Sequence, residues 1–144
     1  MDAFFAICQA LGIGIAIGAL AGAAGFEGSA RGGMTLLMAG VGLAAGIVSA
    51  SADEESVILG AIGGRVGAAL ACAVVSDVVA GAGRRGADGA RALGLIVALA
   101  ALTVAGLSVL LPPLALVPAI GLLWLARARR QRAQRKYEGL RVLR

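Results

Sequence analysis

Four stretches of this chain, 4–26, 34–50, 57–81 and 93–126, are dominated by apolar and small residues and hold almost no charge. A helix needs roughly 20 mostly apolar residues to cross a hydrocarbon core about 30 Å thick. Within that core only a helix or a closed barrel satisfies its own backbone hydrogen bonds. Stretches of this length read as helices, so the constraint predicts an all-α polytopic transmembrane bundle. Composition agrees. The chain is 60% apolar with 23 glycines besides, and 15% charged, where an ordinary globular domain is ~45–50% apolar with glycine included and ~25% charged.

The polar breaks are short. EGSARGG (27–33) separates the first two stretches, SADEES (51–56) the next two, and GRRGADGAR (83–91) precedes the last. The third stretch contains Arg65 and Asp77, and two starts are open for it, Val57 or, if 56–64 is a broken or interfacial segment, Val66. The last stretch is too long for one span: 34 residues would make a helix of about 50 Å. It is interrupted by Pro112, Pro113 and Pro118. Two prolines in succession remove two donors and disfavour helix at residue 111. Two helices, 93–111 and 114–126, meeting at Pro112–Pro113 fit better than one kinked span. The turn between them has no polar residue, so it is expected at or below the headgroup boundary, sheltered by other helices.

Charge asymmetry gives an orientation. Eight of the 13 basic residues follow position 126, among them Arg127, Arg129, Arg130, Arg132, Arg135 and Lys136. The segment 83–91 carries Arg84, Arg85 and Arg91. Both belong on the cytoplasmic side under the positive-inside rule, which requires an even number of crossings between them. Five spans, N-terminus outside and C-terminus inside, satisfy every connection and put the acidic 51–56 outside. Trp124 then lies near the cytoplasmic boundary as an interface anchor, with Phe4 and Phe5 at the other face. Asp2 at the start argues against a cleaved secretory signal, which would begin with positive charge. The excess of Arg over Lys, together with abundant Ala and Gly, suggests a bacterial genome, hence an inner-membrane location. Residues 1–126 form the membrane domain and 127–144 a basic cytoplasmic tail that suits anionic lipid headgroups. One Tyr in that tail offers little for stacking on nucleic acid.

Small residues recur at helical spacing. Gly14, Gly18 and Gly22 make two consecutive GxxxG units, Gly42 and Gly46 another, and Gly60, Gly64, Gly67 and Ala71 share a stripe of the third stretch. Such stripes let helices approach closely. They serve packing within one bundle or an interface in a homo-oligomer or with another membrane protein. IGIAIGALAGAAG followed by FEGSARGG resembles the first helix and polar loop of the rotor-ring proteolipids of ATP synthases. That family carries an ion-binding carboxylate midway along its second helix. MTLLMAGVGLAAGIVSA, the second stretch here, has no acid, so the resemblance stops short of that function.

Arg65 and Asp77 are the ionisable residues inside apolar stretches and therefore the candidate intramembrane polar site. Twelve residues apart, they stand about 18 Å from each other along a straight helix and do not pair directly. Arg65 either snorkels outward or lines a polar cavity. Asp77 either pairs with Arg84 or Arg85 at the headgroup level or serves as a proton or cation relay. Gln9, Thr35, Thr103 and Ser108 are expected to bond helix carbonyls or a neighbouring helix. Cys8 and Cys72 are expected to be small packing residues.

Catalysis has little support. There is no His, no metal-ligand cluster, and no paired carboxylate outside Glu54–Glu55. No enzyme activity, cofactor or metal is expected. The expected class is transport or channel, for an ion or small solute. The alternatives are an accessory or scaffold subunit and a holin-like lesion former.

Overall fold

The structure is a computed structural model. It describes residues 2–25, 28–52 and 57–141, with side chains described for 3–25, 29–51 and 57–132. Phe26, the acidic 53–56, and the side chains of Arg135 and Lys136 lie outside what is described. Every element is helical: α1 Asp2–Gly22, α2 Gly28–Ala52, α3 Val57–Gly83, α4 Ala87–Leu110, a 3-10 turn Pro112–Ala115, and α5 Leu116–Arg141. The result is a helical bundle. Helices α1 to α4 are each long and apolar enough to cross a membrane. The apolar part of α5 runs only from Leu116 to Ala126, about 16 Å at 1.5 Å per residue.

Element boundaries differ from the sequence expectations in three places. The polar 28–33 is not a loop but the first turns of α2, whose backbone is helical from Gly28. Of the two starts open for α3 the structure has the first: glycines 60, 63 and 64 do not interrupt it, so Arg65 lies inside a continuous helix starting at Val57. The connection before α4 shrinks to a tight turn, with Arg85 N–H donating to Ala82 O (2.9 Å), and α4 starts at Ala87 rather than Leu93. Pro118 makes no kink. It is in the first turn of α5, where its missing N–H has no intrahelical acceptor to lose. Pro112 and Pro113 do end α4: Leu111 leaves the helical region at φ −140°, ψ 76°.

Helix α3 is central. Eleven of its residues are buried, and they include Gly60, Gly63, Gly64 and Gly67. A Cβ on Gly14 would overlap the carbonyl of Gly64, and one on Gly18 the carbonyl of Ala68. On the other side the contacts are reciprocal. Gly42 and Gly64 each direct an α-hydrogen at the other's carbonyl, and Gly46 and Gly60 do the same. Gly67 lies against the Leu11 carbonyl, and Gly22 against Val75 and Cys72. Such Cα–H···O contacts recur where helix backbones touch. Gly25, at φ +67°, turns the chain out of α1 in a conformation that a Cβ disfavours.

The aliphatic core sits in one half of the bundle. It joins Ile15, Ala16 and Ala19 of α1, Ala71, Val75 and Val79 of α3, Ala101 of α4 and Ala119 of α5. Levels along α1 locate the final hairpin. Gly94 of α4 lies nearest Ala23, just past the end of α1, whereas Ser108 and Ala115 pack on Gly12, near its middle. The Pro112–Pro113 turn therefore stands about half-way along α1.

These contacts predict an asymmetry among glycines. Gly64→Ala should lower stability by about 1–3 kcal/mol, the usual cost of an extra carbon in a packed site. Gly106→Ala, which opens onto empty space, should stay within ~0.5 kcal/mol. Unfolding of both variants in the same detergent checks this, and equal stabilities would contradict the packing described.

Candidate functional site

The ionisable groups of the spanning helices do not gather at one place. Asp77, near the end of α3, meets Arg31 in the first turns of α2. Both guanidinium nitrogens engage both carboxylate oxygens: Nη1 to Oδ1 at 2.5 Å and Nη2 to Oδ2 at 2.8 Å. Nη2 also approaches the Ala73 carbonyl at 3.4 Å. This is the planar, two-pronged geometry that favours Arg over Lys. The expected pairing of Asp77 with Arg84 or Arg85 gives way to this contact because the early start of α2 brings Arg31 across the seam. Thr35 Oγ1 donates to the Arg31 carbonyl (2.9 Å) one turn further along.

The pair is partly open, with side chains 37% and 41% exposed. Beside it is a cavity of about 160 Å³ walled by Arg31, Ala73, Asp77, Ala126, Arg129 and Arg130. Three guanidinium groups around one carboxylate make this end of the bundle electropositive. Two larger hollows, about 470 and 570 Å³, adjoin at the same end and share Ala24, Val79 and Ala90, with Arg84 on one and Arg91 on the other.

Arg65 is elsewhere. It is exposed on α3, about 12 Å from Val57 and about 18 Å from Asp77. Its exposed neighbours Ile58 and Ile62, with Ala69, follow at helical spacing, so it lies on an apolar outward face. Among the described residues no carboxylate or carbonyl pairs with it. At membrane depth such a charge costs ~2.5–3.5 kcal/mol on insertion scales.

The remaining polar side chains bond within their own helices: Ser76 to Ala73 O, Thr103 to Ala100 O, Ser108 to Ala105 O. Cys8 and Cys72 are buried and free. Among the described residues no three His, Cys, Asp or Glu side chains approach closely enough to hold a metal. Trp124 is exposed on α5 one turn before Arg127, and Arg129, Arg130 and Arg132 continue the same helix. Arg31 does not stand out as a site residue in the sequence, because the polar 27–33 reads as a connection between helices. A register argument could have found it: in an antiparallel α2–α3 pair, Arg31 and Asp77 are nearly equidistant from the 53–56 connection. Comparison with family models, curated proteins and solved structures finds no match.

Because the ion pair is partly solvated, its coupling should be modest. A double-mutant cycle of Arg31→Gln and Asp77→Asn, read as stability, should return about 0.5–1 kcal/mol, weakening as salt rises. A coupling near zero would mean that the pair does not tie α2 to α3.

Proposed function

We propose that the protein is a non-enzymatic integral membrane subunit that acts by association, in a bacterial cytoplasmic membrane. One observation carries this reading. The seams between α3 and its neighbours α1 and α2 are closed by backbone contact at Gly14, Gly18, Gly42, Gly46, Gly60 and Gly64. The buried polar side chains of the described bundle are Ser76 and Ser108, each bonded to its own helix. Among the described residues a single chain therefore offers no polar route between its core helices, while Arg65, unpaired among them, is exposed on the outward face of α3. In this reading the glycine stripes seal the bundle, and the outward faces of α2, α3 and α4 are what the protein presents to others.

The positive-inside rule supports an orientation with the Arg84–Arg91 segment and the tail on the cytoplasmic side. With its turn beside the middle of α1, the α4–α5 hairpin is read as entering and returning on that side, although α4 is by length and composition able to cross. Arg127, Arg129, Arg130 and Arg132 emerge at the anionic headgroups, each contributing on the order of 1 kcal/mol.

The basic cavity beside Arg31 favours a second reading, transport of an anionic solute through an assembly. Native mass spectrometry of the gently released protein, with flux in liposomes, separates the two. A stoichiometric assembly without flux is expected. A monomer that conducts, and loses conduction in Arg65→Gln or Asp77→Asn, would contradict association as the function.

A further inference from the structure

Arg65 and the proline turn occupy the same layer of the bundle. Gly63 touches the Ile7 carbonyl and Gly67 the Leu11 carbonyl, so Arg65, midway between them, is level with the middle of α1. Ser108 and Ala115, which bracket the turn, pack on Gly12, the residue after Leu11. The turn has a defect complementary to that of Arg65. Pro112 and Pro113 carry no N–H, so the carbonyls of Ser108 and Val109 lose their helical donors. Leu114 N–H, the donor due to Leu110, bonds Leu111 O instead (3.0 Å). Val109, Leu110 and Leu111 are all exposed, Leu110 to 78%. Ser108 is fully buried, so the spare acceptors on exposed residues are the Val109 and Leu110 carbonyls, and at this depth the chain carries them together with a cation that has several spare donors. Carbonyl oxygens at membrane depth need donors that hydrocarbon does not supply.

We propose that the protein self-associates head to tail, with Arg65 of one copy capping the free carbonyls of the α4–α5 turn of the next. The partner is a second copy because donor and acceptors belong to the same chain and lie at the same depth. The contact joins two different surfaces, so it repeats from copy to copy, closing into a ring where the rotation allows, rather than pairing two copies symmetrically. The proposal rests on the associative reading above and names the partner.

The test uses full-length protein in its membrane. Cys8 and Cys72 are buried and stay in place. One chain carries Ile62→Cys, a turn from Arg65, and a co-expressed, differently tagged chain carries Leu110→Cys. Oxidation should link the two tags at least fivefold more than it links either chain to itself. Adding Arg65→Leu to both chains should abolish that link and leave each monomer folded; Arg65→Lys, with fewer donors, should retain part of it. Undiminished linking in Arg65→Leu would overturn the role given to Arg65. Linking only between like tags would overturn the head-to-tail geometry. No linking, with a foreign protein at fixed stoichiometry in the native mass spectrum, would overturn self-association and leave the associative reading standing.

Discussion

Backbone contact between α3 and its two neighbours is the constraint on which the rest of the bundle depends. In a bilayer the lipid tails are as apolar as the side chains, so helices gain little from hiding leucines and much from close approach. Glycine provides that approach at both seams. Gly64 lies between Gly14 and Gly42, and Gly60 and Gly46 repeat the contact further along. With its small residues committed to α1 and α2, α3 turns Ile58, Ile62, Arg65 and Val66 away from the bundle. The outward position of Arg65 is a consequence of which residues in α3 lack a side chain.

The same economy of space shapes the hairpin. Gly12 accepts Ser108 and Ala115 where any larger residue would hold the turn away from α1. The core cluster then fills from Ile15 to Ala19 on α1 and from Ala71 to Val79 on α3, the half of the bundle nearest Asp77 and the tail. Above the turn, α1 has no hairpin beside it. Helices α1, α2 and α3 thus continue past the level at which α4 and α5 meet. Polar backbone left by the prolines ends at the step between the two levels. That step is where an intramembrane donor is needed, and Arg65 carries one at the same height.

Much of this was legible in the sequence, for reasons that differ residue by residue. The helical character followed from stretch length, and the break at Pro112–Pro113 from lost donors and the restriction on Leu111. Element ends were less legible. Gly32 and Gly33 read as loop, yet they are helical because the antiparallel α2–α3 register continues past them to Arg31. Pro118 groups with Pro112 and Pro113 as an interruption because a pattern of apolar residues does not mark where a helix restarts. The partner of Asp77 was hidden for the same reason: local spacing favoured Arg84 or Arg85, whereas the contact is set by a register running through 46 residues of chain. What the outward faces of α2 and α3 meet is not written in periodicity at all, since lipid and a partner helix select the same side chains.

The step within the bundle is the claim on which the association account depends, and depth can be measured directly. Leu111 is exposed at the turn, and Trp124 is the sole tryptophan. Leu111→Trp in a Trp124→Phe background, reconstituted in lipids brominated at different carbons, reports how deep the turn lies. The account predicts strongest quenching by bromines near the ends of the acyl chains, at the bilayer centre. Strongest quenching by bromines close to the headgroups would put the turn at a membrane surface, make the hairpin two crossings, and remove the buried carbonyls that Arg65 is proposed to cap.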